Sequence, residues 1–183
     1  MCFDLDAKDK NGARLLILRV KVNKKVKEWN EELKKFIIYL IELVDREQDE
    51  NKLTLIFDCA GAGLSNVDTD LLSFIISLLR NYYPLLLSSV LVHELPWVLN
   101  FVLKLVQSWL PQHQNDMIHP ITKKELNDYI DPDQLPDFLD GTCDLPYKVV
   151  PKDVLPAAEL AKQLTISKSA CDKLIKHLEP YLM

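Results

Sequence analysis

A few residues invite a chemical reading, and each falls short of its pattern. Gly61-Ala62-Gly63 follows an apolar run and precedes a helical one, where a dinucleotide loop would cradle pyrophosphate. The third glycine that loop needs falls on Asn66, and no Walker lysine follows. Cys59 stands where a phosphatase nucleophile would, but the phosphate-clamping arginine of such a loop falls on Ser65. His93-Glu94 opens a zinc-protease pattern whose closing histidine is Trp97, and His113 and His119 share no repeating face. No serine sits in a G-x-S-x-G elbow. Cys2, Cys59, Cys143 and Cys171 form no Cys-x-x-Cys pair and read as reduced structural thiols. No catalytic group, metal site or cofactor loop emerges, so the chain reads as a binding protein rather than an enzyme.

The signal that survives is an excess of apolar side chains over residues 82–110. Tyr82-Tyr83-Pro84 ends a helix, because proline disfavours helical geometry in the residue before it. Residues 89–95 are a short β-branched run and read as a buried strand. Pro96 then suits the first position of a helix over 97–110. That helix is apolar almost all round, interrupted only by Asn100, Lys104, Gln107 and Ser108. Such a helix must be covered on more than one side. Its stripe of Trp97, Phe101, Leu105 and Trp109 reads as plain core or as the wall of an apolar ligand site.

The elements that position this stretch follow a strand–helix alternation. Asp9 to Gly12 is turn chemistry, and residues 14–22 alternate in their second half, as a strand near a sheet edge does. Three-four spacing of Trp29, Leu33, Phe36, Ile37, Leu40, Ile41 and Val44 predicts a helix over 28–46. A polar loop over 49–52 leads to an apolar strand over 53–57 and a small-residue loop over 59–66. Asp68 and Thr69 cap a helix over 71–82. Residues 117–121, broken by Pro120, suit a marginal edge strand. Thr122 and Glu125 are spaced as a capping box. Pro132, Pro136, Pro146, Pro151 and Pro156 mark a segment that wraps a surface. Helices follow over 159–164 and 169–178, the second with Ala170, Leu174, Ile175 and Leu178 on one face. This order predicts an α/β fold with a largely parallel sheet, and ligands near the carboxyl ends of its strands.

Composition bounds the function classes. The 183 residues are 48% apolar and 27% charged, with net charge −5, so no basic footprint for nucleic acid is present. No apolar run is long enough to span a bilayer, and the first residues lack the apolar core of a signal peptide. The expected location is cytoplasmic.

Four ordered motifs identify a family. The stretch 82–110 resembles the Tyr-Tyr-Pro, apolar strand, Pro-Trp and long apolar helix of CRAL-TRIO lipid-binding domains. Asp9 to Gly12 resembles the family's D-x-x-G turn, and LTLIFDCAG its second strand. Leu135-Pro136 with Gly141-Thr142 resembles its closing motif. The likeness runs from about residue 5 to 150. Pro96-Trp97 with Lys104 to Leu110 is most similar to a branch whose members also carry a major sperm protein domain.

The resemblance implies a CRAL-TRIO-like mixed sheet, flanked by helices, with a hydrophobic pocket beneath a gate helix. It places Leu55, Phe57, Leu72, Ile76, Val92, Trp97, Phe101, Leu105 and Trp109 on the pocket and gate. The partners it implies are a hydrophobic lipid or lipophilic small molecule and, transiently, a membrane surface, with the endoplasmic reticulum as one such membrane. On this reading residues 1–150 form the lipid domain without the family's N-terminal helical module, and 151–183 a helical tail. The apolar surface so exposed offers a place for a protein partner. Positions that resemble the family's phosphatidylinositol code are Leu85 and Met117, so strong selection of that lipid is not expected. Two rival readings are an interaction or membrane-contact adaptor without a pocket, and a STAS-like signalling domain with Ser65 as its regulated hydroxyl.

Overall fold

The structure is a computed structural model that describes residues 2–46, 52–143 and 154–181. Five strands form one sheet in chain order: β1 (Cys2–Lys8), β2 (Arg14–Arg19), β3 (Leu53–Asp58), β4 (Leu87–His93) and β5 (Ile118–Ile121). β1 runs antiparallel to β2, and every later pair is parallel. The expected mixed, mostly parallel sheet flanked by helices is therefore present.

The hairpin from β1 to β2 is fixed by one carboxylate. Asp9 Oδ1 accepts from the backbone N–H of Asn11 and of Ala13, both at 2.9 Å, while its Oδ2 accepts from Thr54 Oγ1 at 2.7 Å. Gly12, at φ 85°, takes the left-handed turn that a side chain would resist. The turn thus ties the hairpin to β3. The strand expected near a sheet edge lies second in the sheet, next to the edge strand β1, but it is shorter than expected: residues 20–22 leave it as a 3-10 turn. The pattern Phe3, Leu5, Ala7 carried the missed strand, obscured by the aspartates between. β5 is the edge strand expected from Pro120.

Alternation along the strands divides the apolar residues between two faces. Leu16, Leu53 and Leu55 pack against α1 (Asn30–Arg46) and α2 (Thr69–Tyr82) through Ile37, Ile41, Ile75 and Leu79. Leu15, Ile17, Ile56 and Leu91 face the other way, onto Leu126, Ile130, Leu135 and Leu139. Asp68 caps α2, accepting from the N–H of Asp70 and Leu71. Glu125 Oε2 accepts from the backbone N–H and Oγ1 of Thr122, both at 2.8 Å, and opens the turn of α5 (Leu126–Tyr129).

Between β4 and β5 come a 3-10 turn (Trp97–Leu99), α3 (Asn100–Ser108) and α4 (Gln112–Asn115). The apolar helix expected over 97–110 is thus shorter and broken at each end. β4 ends at His93 because Glu94 adopts φ 48°, where its Oε1 accepts from the N–H of Lys123 at 2.7 Å.

The tail holds α6 (Ala157–Gln163) and α7 (Lys168–Leu178), packed on each other with Ala161, Ala170 and Cys171 buried. Ile175, expected on the buried stripe, is exposed. His177 Nε2 reaches Val22 O at 3.0 Å, tying α7 to the segment after β2. The loop expected over 49–52, apart from Lys52, and the prolines at 146 and 151 lie outside the described residues.

The closing segment turns on Gly141, whose N–H donates to Pro136 O at 3.0 Å. A Cβ there would sit 1.9 Å from Leu135 O, backbone that has no room to move. Asp140 supplies the left-handed residue before it, at φ 59°. Gly141→Ala should therefore destabilise the chain by about 2 kcal/mol or more, read as a lowered denaturation midpoint. An unchanged midpoint would show that this turn does not hold the lower face closed.

Candidate functional site

The helix-bearing face of the sheet is not fully covered. Between it and the helices lies a cavity of about 260 Å³. Its floor is Leu18, Leu55, Phe57, Val90 and Val92, which alternation turns upward from β2, β3 and β4. Leu72, Ile76 and Leu79 of α2 form one side, and Val102, Leu103 and Val106 of α3 the other. Leu99 and Val102 pack on Ala62, so the small-residue loop supports the start of the α3 segment. That is the work of the Gly-Ala-Gly stretch: Gly61, at φ 66°, turns the chain beneath it.

Polar groups gather at the ends. At the carboxyl end of the strands, Asn66 Oδ1 accepts from Gly63 N–H at 2.9 Å. Asn66 Nδ2 donates to Lys21 O at 2.9 Å and to Asn23 O at 3.1 Å, and Asn23 Nδ2 donates to Asn66 O at 2.8 Å. Lys25 closes this rim with Asp68, at 3.3 Å, and Asp70. At the amino end stand Arg80, His113, Gln114 and Met117.

Asp58 and His93 also meet at the carboxyl end, as expected of those two loops. His93 Nδ1 lies 3.3 Å from Asp58 Oδ1, and Arg19 Nε lies 3.6 Å from Asp58 Oδ2. The Arg19 guanidinium lies 4.0 Å from the Phe138 ring centre, so this residue both lines the carboxyl end of the cavity and meets the cover of the lower face. The cavity itself runs along the sheet face, not across the strand ends. Without a reversal of strand order, the sheet has no crevice there.

Of the residues singled out in the sequence, Leu55, Phe57, Leu72, Ile76 and Val92 line the cavity. Trp97, Phe101, Leu105 and Trp109 do not. Trp97 is 84% exposed, Phe101 57% and Leu105 37%. These three face outward and Trp109 is half-buried, while α3 turns Val102 and Val106 inward instead. Helical geometry held this signal: Val106 lies about 160° around the axis from Lys104, while Phe101 lies only about 60° from it. The lysine marks the wet side.

Cys59 also lines the cavity and is buried. Burial, helped by the charge of Asp58, pushes its thiol up to about 12. It is therefore unsuited to nucleophilic work near neutral pH. Among the described residues no His, Cys, Asp or Glu cluster could hold a metal ion, and no helix is long and apolar enough to cross a membrane.

Residues 2–141 match the family described as the CRAL/TRIO domain. The chain belongs to that family. It is 24% identical over 136 residues to the phosphatidylinositol transfer protein CSR1 of Eremothecium gossypii, covering 73% of this chain and 31% of that one. It is 26% identical over 138 residues to the CRAL-TRIO domain-containing protein C3H8.02 of Schizosaccharomyces pombe, with the same two coverages. The chain thus spans about a third of the length of these curated relatives. The crystal structure of Sfh5 shares the CRAL/TRIO fold, with a TM-score of 0.52 at 18% identity over 69% of this chain and 48% of that one. Family membership fits the four motifs and displaces the STAS-like reading of Ser65.

At pH 8, iodoacetamide should label Cys143 well before Cys59, as peptide mass spectrometry would show. Equal labelling would mean that the cavity wall admits water and reagent freely.

Proposed function

We propose that this chain binds a hydrophobic lipid in the cavity and carries it between membranes without changing any bond. The observation that carries the reading is the two-sided segment over 97–110. Leu99, Val102, Leu103 and Val106 line the cavity, while Trp97, Phe101 and Leu105 lie exposed on the outside. Contiguous exposed apolar side chains mark an interaction site. Tryptophan and phenylalanine suit the bilayer interface, and Lys104 beside them can keep its charge among the headgroups. Membership of a family with a phosphatidylinositol transfer protein supports the same reading.

The mechanism is exchange at a bilayer. Moving an acyl chain into water costs about 0.8 kcal/mol per methylene, hence about 12 kcal/mol for about fifteen of them. An apolar cavity offsets most of that cost, so transfer is nearly neutral and the gate lowers the barrier. On this reading the protein works as a peripheral membrane protein of the cytoplasm. Kinship with the branch that carries a major sperm protein domain rests on Pro96-Trp97 and Lys104 to Leu110, and we hold it as part of this proposal.

Two variants separate the gate's outer face from the cavity. Phe101→Asp with Leu105→Asp should abolish binding to vesicles and lipid uptake from them, while circular dichroism stays unchanged. Val92→Trp should fill the floor and abolish uptake, yet leave vesicle binding intact. Uptake that survives both sets of changes would sink the assignment of cavity and gate, whereas wild-type protein that binds vesicles but takes up no lipid would sink the carrier reading and favour a pocket-less adaptor.

The tail from 151 is read as an appendage that braces the domain through His177 and Val22. Removing residues 157–183 should then lower the melting temperature by several degrees. An unchanged melt would make the tail a free extension.

A further inference from the structure

The cavity's charged lining is uneven. At the carboxyl end of the strands every charge has a partner: Arg19 with Asp58, and Asp68 with Lys25. At the amino end it does not. Arg80, in the last turn of α2, lines the cavity and has no ion pair or hydrogen bond among the described residues. His113 and Gln114 of α4 line the same end, because α2 and α3 both run from the carboxyl to the amino ends of the strands. Gln114 Oε1 is buried without a hydrogen-bond partner. Buried polar atoms are normally satisfied, so an orphan beside a cavity points to a ligand group or a water held there. A half-turn of that amide would present its NH₂ instead.

We infer that the cavity takes a single-chain amphiphile whose anionic end group, a carboxylate or a phosphate, sits at Arg80 with His113 and Gln114 beside it. The inference rests on the carrier reading and names its ligand class. Size decides the single chain: about 260 Å³ is just below the range of about 300–1,000 Å³ usual for drug-sized ligands. A two-chain phospholipid exceeds it without moving the walls. Charge decides the end group. An arginine pairs with carboxylate or phosphate through two parallel N–H donors, and no protein carboxylate competes for Arg80 among the described residues. Arg80 is exposed, so water weakens the pair, and the expected preference is modest.

The test uses the delipidated full chain and equilibrium binding of radiolabelled palmitate, 1-palmitoyl-lysophosphatidate and hexadecanol. The better of the two anions should bind about threefold more tightly than the neutral alcohol, and which anion it is identifies the end group. Arg80→Gln should bring that ratio close to one with hexadecanol affinity unchanged, whereas Lys168→Gln, which removes a charge from the tail, should leave the ratio intact. A ratio that survives Arg80→Gln, or wild-type protein that prefers hexadecanol, overturns the inference. Binding of a diacyl lipid without any of the three probes also overturns it but leaves the carrier reading standing. Failure of every lipid to bind removes both.

Discussion

Four strands, β2 to β5, lie side by side in the order in which the chain makes them, and all point the same way. Right-handed crossovers then place every connection on one face of the sheet. The other face receives nothing from them, yet it carries Leu15, Ile17, Ile56 and Leu91, all fully buried. Each such side chain is worth about 1.5–3 kcal/mol on burial, so a sheet open on that side would not hold. The segment after β5 answers this demand. Leu126, Ile130, Leu135 and Leu139 close the lower face, and the Gly141 turn ends the wrap. Phe138 extends the same cover to the strand ends by lying against Arg19.

The upper face has the opposite problem, because its three crossovers are unequal. α1 has 17 residues, α2 has 14 and α3 only 9. At about 1.5 Å per residue, α3 is roughly half the length of α1. It cannot cover the strip of sheet that its longer neighbours cover, and the cavity lies beside it. The space of about 260 Å³ that it leaves is walled mostly by aliphatic side chains and is open at its rim. A short third crossover therefore leaves apolar surface of the sheet and helices for an occupant to cover.

The sequence disclosed the elements better than their faces. Spacing placed α1, α2 and α7, the cap at Asp68 formed as its chemistry required, and of the capping box at Thr122 only the reach of Glu125 back to the Thr122 N–H formed. β1 escaped notice although Asp4 and Asp6 alternate with Phe3, Leu5 and Ala7, because aspartate is depleted in strands, and its pairing with β2 is a long-range fact that no local pattern states. On the cavity floor, Leu55, Phe57 and Val92 were legible from strand alternation, since a period of two leaves only two faces. Around a helix such as α3 there are many more directions, and a segment apolar nearly all round does not announce which one points inward. The aromatic stripe drew the eye; the aliphatic residues took the inside. Arg80 and Gln114 were invisible for another reason: they meet the cavity only because two crossovers finish at the same end of the sheet.

The α3 segment carries different side chains on its two sides. Its inner residues are branched aliphatics, which pack closely on the Leu and Val floor. Its outer residues include the aromatic Trp97 and Phe101 beside Leu105, with Lys104 on the same outward side. The ends of α3 are not held equally. Asn115 Nδ2 donates to Gln107 O at 3.0 Å and to Leu110 O at 3.2 Å, satisfying carbonyls at and just beyond the carboxyl end. Neither Leu99 nor Pro96 offers a side-chain cap at the amino end. A missing cap is worth about 1 kcal/mol, so the end that carries Trp97 is the weaker one. Its support is the packing of Leu99 and Val102 on Ala62. The small-residue loop after β3, which in the sequence suggested a nucleotide site, thus acts mechanically: it is the seat on which the less tethered end of the α3 segment rests.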